Sequence, residues 1–381
     1  MKKKPLITIV IGTRPEGIKL APVIKIFRNC NLVDTRVVLT GQHNEMLNQV
    51  MKIFKLEADK NLKLMQERQS ISHITSEVIK GLNQEFKEFP PSIVIVQGDT
   101  TTAFSGALAA FYEQITIAHV EAGLRTDSLY SPFPEEVNRR LISQISSFNF
   151  APTKFAEDNL KKDGVLGEVF VTGNTVIDAL NMVKEDTPTF NLGDLDLNDT
   201  KLVLLTVHRR ENWGRNINNI CKAIKILNSK YKKLNFLIPM HKNSIVRNDL
   251  KHHLSNISGV FLTEPFDYLN LISAIKHSYL ILTDSGGIQE EAPTFGKPVF
   301  VLRKKTERPE GIKAGISFLI GTETDKIVEE VSKIIEDKKL YESIANATNP
   351  FGDGRASERI LKIILEKLFS KSSLRVSDQV K

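Results

Sequence analysis

Short apolar runs rich in Val and Ile alternate along the chain with stretches in which apolar residues recur every three or four positions. The first kind reads as buried strands, the second as helices packed on them. In the N-terminal half the spacing predicts strands at 6–11, 35–39, 92–96, 115–120, 148–151 and 169–172. Helical spacing falls between them, as at 18–28, 101–111 and 135–145. In the C-terminal half strands are expected at 201–207, 235–239, 259–262, 279–282, 298–302 and 316–319. This alternation builds βαβ units and parallel sheets. TPTFNLGDLDLNDT, residues 187–200, breaks the rhythm with Pro, Gly and Asp and reads as a linker. The expected fold class is therefore α/β, with two doubly wound lobes facing a cleft. Residues 1–186 form the first lobe and 187–355 the second. A last helix at 356–369 joins the first lobe, and 370–381 is a flexible tail.

A chain of 381 residues is long for a single core and suits two domains. A net charge of +7 permits nucleic-acid binding, but the Lys and Arg residues are scattered and form no basic stripe interleaved with aromatics. A small polyanion such as a nucleotide accounts for them equally well, and no nucleic-acid partner is expected. Cys30 and Cys221 lie far apart with no metal-like spacing and read as reduced thiols. The apolar run after the first lysines is short and passes into TRPEG without a cleavage site. No stretch approaches a membrane span. A cytoplasmic protein without membrane partner is the expectation.

The candidate chemistry gathers at the ends of the expected strands. RPEGIK occurs twice, at 14–19 and 308–313, each time after an apolar run. The residue before a Pro leaves helical geometry, the Pro suits a first helical turn, and the following Glu opposes the positive helix end. One copy would be ordinary helix-start chemistry; two present Arg14 and Arg308 at sheet edges where open α/β folds bind ligands. LTDSGGIQEEAP, residues 282–293, reads as a strand end, a turn and a helix. Ser285, Gly286 and Gly287 there offer backbone N–H groups to an anion. Glu291 lies where it can accept from ribose hydroxyls, and Glu290 is expected to face solvent.

QGDTTT brings Asp99, which taken alone is better read as the cap of the helix at Thr101 than as a base. HVEAGLRT ends a further strand with Glu121, and PFPEEVNR opens a helix with Glu135 and Glu136. Acids in a first helical turn are ordinarily dipole partners; what raises these is convergence at consecutive strand ends. TVHRRENWG places His208 beside Arg209 and Arg210, and His241 ends another strand. His252 and His253, adjacent on a helix, should point apart and form no metal site. No GxGxxG is present, and GTRPEGIK is not a Walker loop, since its Lys comes late and no Ser or Thr follows.

GTRPEGIK, TGQH, QGDTTT, HVEAGLRT, PFPEEVNR, VTGNTVID, HRRENWG, LTDSGGIQEEAPTFGKP and TERPEG follow one another in this order. With them the chain resembles the non-hydrolysing UDP-N-acetylglucosamine 2-epimerases. The resemblance implies two Rossmann-like lobes in the GT-B architecture. It also implies a homodimer that needs neither cofactor nor metal, with UDP-N-acetylglucosamine and UDP as partners. Carried over by position, it puts the uridine and diphosphate on Ser285, Gly286, Gly287, Glu291 and Arg308, with Phe266 and Leu271 near the uracil. Arg14, Lys19 and His208 complete the diphosphate site, and Asp99, Glu121 and Glu135 are the acid/base groups. An activating site for a second UDP-N-acetylglucosamine would use Gln42, Arg68, Glu135, Arg209 and His241. The chain departs from the pattern at Glu45, where Gln is expected, and this sets a negative charge near that second diphosphate.

The hydrogen on C2 of the sugar is not adjacent to a carbonyl, so enolisation cannot invert that centre. The implied route is elimination of UDP to 2-acetamidoglucal, followed by re-addition, in a pathway towards surface polysaccharide. A hydrolysing epimerase, an epimerase of a modified UDP-sugar, a GT-B glycosyltransferase and a nucleotide-sugar sensor are the alternative readings.

Overall fold

A computed structural model describes residues 4–41, 44–64, 69–126, 128–190 and 199–377, the side chains of 44–46 and 371–377 excepted. Its strands build two all-parallel sheets. The first contains β1 (Leu6–Ile11), β2 (Asp34–Leu39), β3 (Lys60–Asn61), β4 (Ile93–Gln97), β5 (Thr116–Val120), β6 (Phe148–Ala151) and β7 (Glu168–Val171), in the order β3-β2-β1-β4-β5-β6-β7. The second contains β8 (Lys201–Thr206), β9 (Leu234–Pro239), β10 (Val260–Thr263), β11 (Leu280–Thr283), β12 (Val299–Val301) and β13 (Ser317–Leu319), in the order β10-β9-β8-β11-β12-β13. Each expected strand is present within a residue or so at its ends. Only β3 escaped the spacing, because two residues carry no periodicity.

Cα packing divides the chain into two compact units, 1–182 with 351–381, and 183–350. In the first unit Ile7, Ile9 and Ile11 point to one side of β1 and pack with Leu20, Ile24 and Phe27. These come from the helix Arg14–Arg28, whose apolar residues recur at helical spacing. The last helix, Ala356–Ser377, lays Ile360 and Ile364 into the same core. It runs past the expected end at 369, to Ser377. SKSSLRVS contains neither Gly nor Pro to stop a helix. In the second unit Phe236, Leu282 and Phe300 meet Ile220, Ile224 and Leu227 in a single core.

Both sheets reverse their strand order once, between β1 and β4 and between β8 and β11. There the loops leaving neighbouring strands run to opposite faces and leave a crevice, the usual ligand position in such sheets. The crevice of the first sheet is tight at its base. A Cβ on Gly12 would lie 2.2 Å from Thr102 Oγ1, so only glycine lets the end of β1 approach the helix Thr101–Tyr112.

Glu16 joins these two strand ends. Its buried carboxylate accepts from the backbone N–H of Gly12 at 2.5 Å and of Thr13 at 2.8 Å, and from the Thr100 hydroxyl. Burial nevertheless pushes its pKa from 4.5 up to about 7, against those hydrogen bonds. The native protein thus holds this proton at pH values where the unfolded chain has released it. Stability should fall as pH rises from about 4.5 to about 7, by up to about 3 kcal/mol from this group. Glu16→Gln removes the titration and keeps an acceptor. Thermal melts at about pH 5 and about pH 8 should show the variant gaining stability on wild type as pH rises. Parallel pH slopes would contradict a buried carboxylate with a raised pKa.

Candidate functional site

At the first switch point Arg14 opens the helix Arg14–Arg28 and is half-buried, with no hydrogen bond or ion pair among the described residues. One turn on, the buried Lys19 Nζ donates to Glu121 Oε1 at 2.5 Å. Gln97, at the end of β4, donates to the other oxygen of Glu121. Glu121 follows β5 with φ +63°, a left-handed conformation that a glutamate adopts only when its surroundings impose it. The ion pair and the Gln97 bond are what impose it here. The carboxylate lies 4.0 Å from where a Cβ on Gly98 would stand, one residue before Asp99.

Asp99 is held from one neighbouring helix. Arg139 pairs with its carboxylate at 2.8 Å, and Asn138 Nδ2 donates to its carbonyl at 3.0 Å. Both lie on the helix Glu135–Ile145, on which Glu135 is the half-buried first residue. Asp99 is not the helix cap expected of it; that position belongs to Thr100, whose hydroxyl accepts from Ala103 N. Nor is Glu136 a solvated dipole partner. It is fully buried and accepts from Thr126 N at 3.0 Å and Arg140 Nε at 2.7 Å.

His119, on β5, was passed over as a strand residue. It is fully buried, its Nε2 lies 2.7 Å from Gly98 O, and burial together with Arg125 and Arg139 lowers its pKa to about 4. The ring is therefore neutral at ordinary pH, with Nε2–H as donor, and it braces the turn that carries Asp99.

At the second switch point Ser285 precedes the short helix Gly286–Glu291. The Arg308 guanidinium lies directly against Gly286, 2.6 Å from where a Cβ would be, and Gly287 is open. Any side chain at 286 would displace the arginine. Arg308 Nε donates to Glu290 Oε1 at 2.7 Å, so Glu290 is buried rather than facing solvent. An arginine at the glycine turn needs a fixed counter-charge, and Glu290, one residue before Glu291, supplies it. Arg303 and Arg308 flank Glu307, and although burial acts the other way, these cations bring its pKa down to about 2. Glu291 is buried and accepts from Tyr268 Oη at 3.1 Å. Leu271 is half-buried on the helix Tyr268–His277, and Phe266 is half-buried in the loop before it.

His208 and Arg209 leave β8 and meet Asp284 at the end of β11. The fully buried Asp284 carboxylate accepts from His208 N and Arg209 N at 3.0 Å, Asn212 Nδ2 at 2.9 Å and His208 Nδ1 at 2.8 Å. Burial would raise its pKa, but these donors, His208 first, hold it below the ordinary value. Asp284 was read only as part of a turn. The signal available was an acid directly before an anion-binding SGG, tolerable only if neutralised locally. The His241 ring stands 5.9 Å from that of His208. The His252 and His253 rings, in the last turn of their helix, meet edge to face at 4.8 Å rather than pointing apart.

Gln42 and Arg68 lie outside the described residues, as does the side chain of Glu45. Among the described residues no cluster of His, Cys, Asp and Glu could hold a metal, and no helix is long and apolar enough to cross a membrane.

The sequence and the fold each have known relatives. The family profile described as UDP-N-acetylglucosamine 2-epimerase matches residues 25–365. A UDP-N-acetylglucosamine 2-epimerase of Campylobacter jejuni is 45% identical over 94% of this chain and 97% of its own. The crystal structure of the Neisseria meningitidis UDP-GlcNAc 2-epimerase bound to UDP-GlcNAc superimposes with a TM-score of 0.89 at 44% identity, covering 95% of this chain and 100% of that one. A kitacinnamycin glycotransferase shares the fold alone, at a TM-score of 0.61 and 10% identity. The two units are Rossmann-like lobes of the GT-B class. With a family profile that spans most of the sequence, and relatives of this identity along nearly its whole length, the chain belongs to the UDP-N-acetylglucosamine 2-epimerase family.

Proposed function

We propose that this protein interconverts UDP-N-acetylglucosamine and UDP-N-acetylmannosamine without hydrolysis. One observation carries the reading beyond family membership: two carboxylates, Asp99 and Glu121, are braced at one switch point, the second in a conformation that only its partners sustain. On this reading a carboxylate removes the C2 proton while UDP departs from C1, leaving 2-acetamidoglucal. UDP then returns and C2 is protonated from the other face. Inversion needs acid/base groups on both faces, which Asp99, Glu121 and Glu135 supply as a coupled set. The candidate contacts for the departing diphosphate are Arg14 and Lys19 in the first unit and, in the second, His208, Arg308, Ser285 and the backbone N–H groups of Gly286 and Gly287, the Ser285 N–H itself donating to Thr283 Oγ1 at 2.9 Å. Phe266, Leu271 and Glu291 take the nucleoside. The protein works as a cytoplasmic homodimer without cofactor, and its product feeds surface polysaccharide. Glu135, Arg209 and His241 are the described candidates for contacts to an activating UDP-N-acetylglucosamine, a role that Glu45, standing where Gln is expected, opposes with its negative charge.

Elimination makes an isotopic prediction. Product formed in deuterated water should carry deuterium at C2, read by proton NMR, because the abstracted proton exchanges with solvent. Full retention of the substrate hydrogen would refute the route, and free N-acetylmannosamine with UDP would identify a hydrolysing enzyme. Among Asp99→Asn, Glu121→Gln and Glu135→Gln, at least one variant should release UDP and 2-acetamidoglucal while epimerising poorly.

Arg14→Ala and Arg308→Ala should each weaken UDP binding by about 1.5–3 kcal/mol in calorimetry, the range for a hydrogen bond to a charged group. Their stabilities should differ. Arg14 has no partner among the described residues, so its variant should melt like wild type. Arg308→Ala leaves buried Glu290 and Glu307 short of a cation and should melt lower. Unchanged UDP affinity in either variant would remove that arginine from the diphosphate site.

A further inference from the structure

His208 does not meet its surroundings as an isolated ring. Asp284 takes its Nδ1 at 2.8 Å and its backbone N–H at 3.0 Å, so one carboxylate sets both the rotamer and the start of the loop. The same carboxylate receives Arg209 N at 3.0 Å and Asn212 Nδ2 at 2.9 Å, while Asn212 also donates to Leu302 O at 3.1 Å. Arg209 Nε donates to the Asp284 carbonyl at 2.9 Å. Asp284 itself is fully buried and immediately precedes Ser285 and the glycine turn. An acceptor-only group facing this many donors is ionised, and an ionised partner at Nδ1 requires a hydrogen on that nitrogen. Nε2 is then the nitrogen left for a ligand. Without Asp284 a histidine on a loop would sample other rotamers and both tautomers.

We propose that Asp284 is a positioning residue of the reaction. It fixes His208 with Nδ1–H bound and Nε2 presented, and it locks the His208 loop to the Ser285 turn as one piece. The group that meets the leaving diphosphate oxygen and the turn that cradles the same diphosphate thereby keep a constant spacing. This deepens the proposed epimerase reading and rests on His208 acting there. No proton passes to Asp284; it acts through His208.

Asp284→Asn tests this closely. The amide oxygen still accepts the backbone N–H groups of His208 and Arg209, but the amide nitrogen is a donor and cannot accept from Nδ1. The ring should switch to the Nε2–H tautomer. In the 15N-histidine-labelled full chain the wild-type His208 signals should report a protonated Nδ1. In Asp284→Asn they should report a protonated Nε2. The epimerase kcat should fall by about 10²- to 10³-fold with KM changed no more than about threefold, the pattern of a lost transition-state contact.

Placed on His208→Asn, the same substitution should cost almost nothing further in kcat, since there is no ring left to orient. A loss of equal size in both backgrounds would overturn the proposal and make Asp284 merely structural. So would a wild-type His208 carrying its proton on Nε2 alone. If Asp284→Asn fails to fold, the wild-type spectrum decides by itself. A chain with no epimerase activity but a protonated, Asp284-bound Nδ1 would sink the functional reading and leave the positioning intact.

Discussion

A carboxylate taken out of water is costly unless protein donors replace its hydration, and removing one partner of such a group costs several kcal/mol. This constraint shapes both switch points. Glu16, Glu121, Glu136, Asp284, Glu290 and Glu307 are all buried near strand ends, and each has its own donors or cations. The donors come from neighbouring loops, so satisfying each charge also ties one loop to the next. Glu16 joins the ends of β1 and β4, and Asp284 joins those of β8 and β11. The crevices a parallel sheet leaves open are in this way lined by cross-linked, charged loops.

The two units solve the problem with opposite emphasis. In the first, cations serve carboxylates: Lys19 holds Glu121 and Arg139 holds Asp99, and the left-handed backbone at Glu121 persists because both its oxygens are engaged. In the second, carboxylates serve cations. Glu290 and Glu307 fix Arg308 against Gly286, and Glu307 also holds Arg303. A guanidinium fixed by two carboxylates keeps its fork oriented, which a flexible ammonium would not.

The repeated RPEGIK shows how the same six residues acquire different surroundings. The first copy begins the long helix Arg14–Arg28 directly after β1, and its Glu16 accepts from backbone. The second forms the short helix Pro309–Lys313, separated from β12 by a loop, and its Arg308 precedes the helix. One arginine stands without a bond among the described residues; the other is doubly paired. Local helix-start chemistry is common to both, and the neighbours are not.

Hydrophobic periodicity by itself determined the α/β class and the strands, because burying β-branched runs between helical faces leaves few other arrangements. Strand-end position also marked out Asp99, Glu121, His208, Ser285 and Arg308 as candidates, since open sheets expose their carboxyl edges. What only the tertiary structure decided is which of these groups are paired and with whom. Asp284 and His208 are far apart in sequence, as are Lys19 and Glu121, and no local spacing connects them. Glu290 reads from the sequence as a solvated helix residue, but Arg308 from a distant loop pairs with it; Glu136 reads as an acid of a first helical turn, and Thr126 and Arg140 donate to it. His119 passed for a strand residue because its role is a bond to the carbonyl of Gly98 on the adjacent strand's loop. Burial and pairing depend on contacts across the sheet, and a one-dimensional pattern records only which face of its own element a residue occupies.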